Sequence, residues 1–430
     1  MGMGLRTLSR LAGSDLLDRL RIRGSANRAL YHATRDGFRA AGVMGRTFKA
    51  VQANGGPARL RTTSGSGLFD LTPTDEQQMV QETFRAFAEE QLRPAALAAD
   101  TRAAAPPELL EQITELGLTM LGVPETLGGA VDQRSTVTSV LAAEALAYGD
   151  MGLAVAALAP ASVASALSLW GDSAQQATYL PALLEEGVGA AMALQEPRAL
   201  FDPFSPRTFA QRDGADFVLN GTKSLVPRAQ DASLLVVSAL TTGEGPLLLL
   251  VETATEGVKL RPTPAMGVRA AGLGEFQFED VRVPMSSVLG AEDSGAYADC
   301  IRRGRLAWCA LTLGTARAVL DYVIAYANDR VAFGEPISHR QAVAFAISDI
   351  AIELEGMRLA VLRAASRADA GKSFAEEVSV AHSLCTRRGV TIGSDGVQLL
   401  GGHGYIKEHP VERWYRDLQA AGVFEGGLLV

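Results

Sequence analysis

Three cysteines in 430 residues, Cys300, Cys309 and Cys385, are too few and too widely spaced for a disulfide framework or a thiolate metal site. Histidine is almost as scarce. Of the five present only His403 and His409 lie close together, and a Pro-flanked loop splits them, so no metal site is read. There is no Gly-rich dinucleotide fingerprint after a first strand, and a Rossmann-type nucleotide site is therefore not supported. Charge is missing altogether from residues 151–171, a run of twenty-one that is long enough to raise a transmembrane question. That run is rich in Ala and Ser, contains Pro160 and lacks the Leu/Ile/Phe density of a lipid-facing helix, so it reads as a buried helix. What remains, 47% hydrophobic and 20% charged, is ordinary for a globular protein of two or three packed domains.

Acidic residues are rare at the start of the chain. Residues 1–61 hold twelve Lys/Arg against three Asp, a net of +9, so with −8 overall the remainder carries −17. An acidic body argues against nucleic acid as a partner. In the basic extension Leu5, Leu8, Ala12, Leu16 and Leu20 share one helical face, and Leu30, Phe38, Ala41, Met44, Phe48 and Val51 follow a rough heptad. Three readings of these basic amphipathic helices stand side by side: peripheral membrane contact or an acidic partner surface, an organelle transit peptide, or docking on the acidic body. The first and third leave the protein cytoplasmic; the second places it in the mitochondrial matrix. Gly55-Gly-Pro and Thr62-Thr-Ser-Gly-Ser-Gly then form a linker.

From Leu71 the pattern turns helical. Thr72-Pro-Thr-Asp-Glu reads as a helix start, with Thr72 as cap and Pro73 in the first position. Helices continue to about residue 187, broken at Val123-Pro-Glu-Thr-Leu-Gly-Gly. Between about 190 and 290 the period becomes two, and Asp213-Gly214 and Asn220-Gly221 read as hairpin turns of an antiparallel domain. Long Ala-rich helices then return over Arg305–Arg330, Gln341–Ala370 and Glu376–Leu400. The expected fold is α+β, divided as an extension and linker over 1–70, a helical domain over 71–190, a β domain over 191–290 and a four-helix-bundle domain over 291–430.

The C-terminal block is the most informative part of the chain. It reads Asp395-Gly-Val-Gln-Leu-Leu-Gly-Gly-His-Gly-Tyr-Ile, then Val411-Glu-Arg-Trp-Tyr-Arg-Asp, then Phe424-Glu425-Gly-Gly. Gly401, Gly402 and Gly404 allow close backbone approach or a tight turn. Glu425 has no other carboxylate within the seven residues before it. A lone carboxylate in an apolar, flexible loop has the character of a general base.

With Gly122-Val-Pro-Glu-Thr-Leu-Gly-Gly, Ala191-Met-Ala-Leu-Gln-Glu-Pro, Leu219-Asn-Gly-Thr-Lys, Met266-Gly-Val-Arg, Phe278-Glu-Asp-Val-Arg-Val-Pro and Ala327-Asn-Asp-Arg-Val-Ala-Phe-Gly, this block forms an ordered series. Residues 71–430 resemble an acyl-CoA dehydrogenase. The resemblance implies FAD in a groove between the sheet domain and the bundle, an acyl-CoA substrate, electron-transfer flavoprotein as acceptor, and a homodimer or homotetramer. Met192, Leu194, Gln195, Leu225, Pro227 and Gly427 fall on cofactor positions of the same chain. Arg330, Phe333, Gln341, Gln398, Gly401 and Gly402 fall on positions that reach a neighbour's flavin. Glu425 falls on the catalytic base, with its backbone N–H toward the thioester oxygen; Phe201, Gly304, Arg305, Phe424 and Gly426 fall on substrate positions. Some relatives carry the base just before the arginine matching Arg305, where this chain has Gly304, and Glu425 agrees with the branch whose base lies in the loop. A glycine at 304 also leaves room at the bottom of the acyl pocket.

The chain departs from the pattern at several positions. Gln195 stands for a Thr, Arg198-Ala-Leu-Phe201-Asp for a small Gly-Ala-Gly-Ser turn, Leu225 and Pro227 for the Trp and Thr flanking the flavin ring, and Gly427 for a Thr, with the relatives' next helix not following. These departures keep two alternatives open: a non-catalytic assembly or membrane-docking relative, and a related oxidase or monooxygenase.

Overall fold

The computed structural model describes residues 71–430 apart from Glu186, Glu244 and Glu292; the expectations for residues 1–70 lie outside the described residues. The first helix, α1 (Asp75–Phe87), starts two residues later than the sequence suggests. Thr74, not Thr72, is the cap: its hydroxyl accepts from the Gln77 N–H at 3.2 Å while the Gln77 side chain accepts from the Thr74 N–H at 3.0 Å. This reciprocal capping box satisfies two otherwise orphaned donors, which Pro73 at the first helical position would not. A π-turn at Ala88–Leu92 leads into α2 (Arg93–Arg102) and α3 (Pro107–Glu115), and short 3₁₀ turns carry the Val123-Pro break.

Two buried helices follow, α4 (Thr136–Gly149) and α5 (Met151–Trp170). The charge-free run is α5, and all of it except Ser168 and Leu169 is buried. This helix and α7 (Ala296–Asp329) are long and apolar enough to cross a membrane, yet 89% and 78% of their most apolar stretches are buried inside the protein. They are core helices. After α6 (Ser173–Leu184) the chain enters the sheet, and after α7 it forms α8 (Gln341–Asp369), α9 (Ala375–Leu400) and the short α10 (Val411–Leu418), which pack with α7 as the C-terminal helical layer.

The eight sheet strands are β1 (Ala190–Ala193), β2 (Phe209–Asp213), β3 (Asp216–Val226), β4 (Leu234–Thr241), β5 (Gly245–Glu252), β6 (Val258–Pro262), β7 (Gly274–Pro284) and β8 (Val288–Leu289). Their order is β6-β7-β3-β2-β4-β5-β8, antiparallel except where β1 and β2 each pair with β4 in parallel. Strands β1, β4 and β5 are buried on both faces, which explains their unbroken apolar runs. Met192, Leu194, Val236 and Leu250 face α5 and α6, while Ala191, Leu235, Val237 and Leu249 face Phe217, Phe276 and Phe278.

Of the two hairpin signals only one makes a turn. Asp213 pairs with Asp216 around Gly214, whose φ is +63°. Asn220-Gly221 instead lies inside β3, at a bulge opposite β7. There the Asn220 amide replaces a backbone partner, accepting from the Asp280 N–H and donating to the Asp280 carboxylate, both at 3.0 Å. Gly221 takes φ +148°, and an added Cβ would stand 2.7 Å from the Thr208 Cα. Local turn chemistry is thus overridden by the need of a long strand to bend over β2.

The Arg413–Arg416–Asp417 cluster ties the layers together rather than lying in solvent. Arg413 donates to Asp150, the N-cap of α5, at 3.0 Å; Arg416 holds Asp100 through both terminal nitrogens at 3.0 and 3.1 Å; and Asp417 accepts from the Val268 N–H at 2.6 Å. Burial, and then the nearby Asp150 carboxylate, push Asp417 up to about 8. Its folded value lies above its unfolded value near 4, so the stability it contributes is complete below about pH 4 and is lost as pH rises through about 8. Asp417→Asn keeps the acceptor for Val268 and removes the titration. We expect it to raise the thermal midpoint at pH 9, by on the order of 1–3 kcal/mol in stability, and to flatten the midpoint between pH 5 and 9.

Candidate active site

Glu425 is alone in sequence but not in space. Arg305, on α7, clasps its carboxylate with both oxygens engaged: Nε to Oε2 at 2.8 Å and Nη2 to Oε1 at 2.7 Å. The apolar surroundings expected around this side chain are replaced by a planar guanidinium matched to the carboxylate fork. The pair is partly buried, with the two side chains 25% and 17% exposed. The hydrogen bonds to Glu425 raise the Arg305 pKa, so Arg305 remains a cation throughout the working range. On the other side of the residue, the Glu425 backbone N–H donates to the Gln195 side-chain oxygen at 2.9 Å.

The loop that carries Glu425 is gripped from four elements. Phe424 packs on Trp308 of α7 with ring centroids 4.5 Å apart, and Trp308 Nε1 donates to the Gly426 carbonyl at 2.6 Å. His382 and Thr386 of α9 reach the Ala421 carbonyl. Ser162 of α5 accepts from the Leu429 N–H at 2.9 Å. Gly426, at φ +73°, lies against Leu194 just beyond β1, where an added Cβ would be 3.0 Å from the Leu194 Cβ. Gly304 serves the same close approach from α7. A Cβ there would meet the Gly426 Cα and the Leu428 carbonyl, both at 3.0 Å. The space beside Gly304 is therefore filled by the loop's own backbone, which corrects the expectation that this glycine leaves room at the bottom of a pocket.

Sequence reasoning missed the group that anchors the site's other wall. Lys223, fully buried near the end of β3, donates to Glu196 at 2.9 Å, Ser238 at 2.8 Å and the Leu194 carbonyl at 3.2 Å. Glu196 also accepts from the N–H groups of Arg207 and Thr208. Burial lowers Lys223 to about 8, against the pull of Glu196. Burial pushes Glu196 the other way but is outweighed by Lys223 and the two backbone donors, so its pKa is lowered. Both residues sit in quoted motifs, Leu-Gln-Glu-Pro and Asn-Gly-Thr-Lys; two charges amid apolar strand residues were the available signal.

Glu425, Phe424, Gly426, Gly304, Arg305, Gln195 and Leu194 thus meet at one place. Phe201 lies nearby in the segment after β1, with Arg198 over its ring and Phe204 facing Arg305. Met192 and Leu194 bury their side chains toward α5 and α6, in the cluster that also holds Leu429. Leu225 takes φ +56° and packs against the main helical core, Pro227 is buried, and Gly427 takes φ +82°. The remaining residues stand apart. Arg330 follows the last turn of α7, twenty-five positions and so roughly 37 Å along the helix from Arg305. Phe333 is 96% exposed, and Gln341, Gln398, Gly401 and Gly402 are exposed as well; Tyr326, near the end of α7, joins His403 just past α9 at 2.8 Å.

This helix–sheet–helix architecture, with a carboxylate clasped between the last loop and the bundle, defines a class that comparison with known proteins identifies. Models of the acyl-CoA dehydrogenase N-terminal, middle and C-terminal domains match residues 74–187, 191–281 and 296–428. A probable acyl-CoA dehydrogenase of Bacillus subtilis, YngJ, is 34% identical over 368 residues, 83% of this chain and 96% of that protein. The structure of butyryl-CoA dehydrogenase from Megasphaera elsdenii superposes with a TM-score of 0.77 at 30% identity, covering 84% of this chain and 96% of the other. A glutaryl-CoA dehydrogenase from Mycobacterium smegmatis in complex with FADH2 does so with a TM-score of 0.74 at 25% identity, covering 83% and 92%. The chain belongs to the acyl-CoA dehydrogenase family. It is a flavin-dependent oxidoreductase with FAD as cofactor, and its general reaction is acyl-CoA dehydrogenation.

The Gly304 contacts generate a prediction. Gly304→Ala forces the loop off α7 by a few tenths of an ångström or more, and we expect a loss of about 1–3 kcal/mol together with reduced turnover, read from the thermal midpoint and the steady-state rate.

Proposed function

We propose that Glu425 is the base that removes the α-proton of an acyl-CoA thioester. The observation that carries this reading is the bidentate grip of Arg305, which holds a partly buried carboxylate at the meeting of α7, β1 and the terminal loop. The α-hydrogen of a thioester is weakly acidic, so its removal needs a positioned base and donors for the developing enolate oxygen. The Glu425 N–H is one such donor. Phe424, Gly426 and Phe201 line the approach, and Arg305 releases the carboxylate to the acyl group while staying beside it as a fixed positive charge.

FAD, when bound, supplies the acceptor for the β-hydride. The side chains present suit such a ligand. The Arg330 guanidinium makes no hydrogen bond or ion pair among the described residues, and its planar fork matches a pyrophosphate. Nothing lies within 4 Å of an added Cβ at Gly401, Gly402 or Gly427, so a bulky group can approach the backbone there. Arg228, just past Leu225 and Pro227, has a buried Nε whose nearest acceptor, the Asp231 carboxylate, stands off at 3.7 Å. In this reading Met192, Leu194, Leu225, Pro227 and Gly427, with Gln195 through its backbone only, hold the cofactor of their own subunit. Arg330, Phe333, Gln341, Gln398, Gly401 and Gly402 serve a neighbour's; Arg330, just past the end of α7, lies roughly 37 Å along that helix from the arginine that holds Glu425. That arrangement calls for a homodimer or homotetramer, with electron-transfer flavoprotein as the acceptor.

Glu425→Gln tests the assignment. It keeps the shape and the backbone N–H but removes the basic oxygen, so we expect kcat to fall by about 10²–10⁴ while the visible flavin spectrum is retained. Unchanged turnover would refute the base.

A further inference from the structure

Both groups that the proposed reaction needs from residue 425 are already bonded within the chain: the carboxylate to Arg305 and the N–H to Gln195. We infer that Gln195 is a displaceable internal ligand, its amide oxygen occupying the place that an acyl thioester oxygen takes on the Glu425 N–H, so that it sets the affinity for the acyl group. This rests on the reading of Glu425 given above.

The neighbouring contacts separate what is fixed from what can move. The backbone around Gln195 is immobilised: its carbonyl accepts from the Ser224 N–H at 2.9 Å, the Leu194 carbonyl before it accepts from Lys223 and Ser238, and the Glu196 carboxylate after it is locked by Lys223, Arg207 and Thr208. The Glu425 N–H is aimed by other groups. Phe424 donates to the Ala420 carbonyl at 2.8 Å, Trp308 holds the Gly426 carbonyl, and Arg305 holds the carboxylate. Neither end of the Gln195–Glu425 bond depends on that bond for its position. What can move is the Gln195 side chain, which is only partly buried and can turn its amide away from the loop.

The exchange is chemically even. An amide oxygen and a thioester oxygen are both neutral carbonyl acceptors, and a buried N–H left without either is costly. Each acyl group that docks therefore replaces a hydrogen bond that already exists, and gains less than it would from an open donor. Gln195 weakens ground-state binding of any ligand with a carbonyl at this point and leaves ligands without one untouched.

The test is calorimetric titration of the FAD-loaded enzyme with two probes: crotonyl-CoA, which carries the thioester carbonyl, and S-butyl-CoA, a thioether that lacks it. Gln195→Met preserves length and removes the acceptor. Crotonyl-CoA is expected to bind roughly three- to tenfold more tightly to Gln195→Met than to the parent, the range that one net hydrogen bond supplies, with S-butyl-CoA changed by less than about twofold. Gln195→Glu offers a charged and stronger acceptor, and crotonyl-CoA is expected to bind more weakly to it, again without a matching change for the thioether. Equal effects on the two probes, or weaker crotonyl-CoA binding to Gln195→Met, would overturn the inference and leave Gln195 as a prop for the loop. The base assignment is judged separately by Glu425→Gln, whose turnover does not depend on either outcome.

Discussion

A single buried ammonium organises this site. Lys223 has no exposure to solvent, and it bonds to a backbone carbonyl and a carboxylate of the segment just after β1, Leu194 and Glu196, and to the Ser238 hydroxyl of β4. A charge that deep is tolerated only if it is paired and its donors are used, so the exit of β1, the end of β3 and the middle of β4 are obliged to converge around it. That convergence fixes the strand exit at Leu194–Glu196, and with it the wall on which the Glu425 loop rests. Removing either partner of such a pair leaves the other charged and unpaired in a dry interior, which makes the wall sensitive to changes that never touch a ligand.

The loop itself is shaped by absences. Gly304 and Gly426 have no side chain because the α7 backbone, the loop backbone and the Leu194 side chain come within contact of one another there, and Gly426 and Gly427 adopt left-handed angles that other residues resist. With no regular secondary structure to hold it, residues 424–429 are held by single polar contacts from Trp308, Arg305, Gln195 and Ser162. The geometry of the carboxylate is therefore a property of four surrounding elements. Similarly, the buried cluster of Asp100, Asp150, Arg413, Arg416 and Asp417 fastens α10 to the N-terminal helices and to the β6–β7 connection, so the C-terminal layer is braced from both sides.

Much of the fold was legible because periodicity reports burial directly. The charge-free α5, the doubly buried β4 and the long helices α7 to α9 all announce themselves through which faces are apolar. Where the reading failed, a tertiary demand outweighed a local signal. Asn220-Gly221 has the composition of a hairpin turn, yet bends a strand, because β3 continues past β2 to pair along β7. Thr72-Pro73 looks like a helix start, yet Thr74 alone has a Gln three residues on to complete the reciprocal cap. Nor does sequence show what packs over the Arg–Asp pairs near the C-terminus, which are largely buried.

For the candidate site the division is sharper. The amino-acid sequence by itself determined the order of helix, sheet and helix, the family and the single carboxylate in a glycine-flanked loop, because these depend on residue type and spacing along the chain. Only the tertiary structure decided that Glu425 is clasped by a residue 120 positions away and hydrogen-bonded by one 230 positions away. It also decided that Gly304 is filled by the loop and that Lys223 and Glu196 hold the opposite wall. Hydrogen bonds and ion pairs act over about 3 Å in space and carry no trace of separation along the chain.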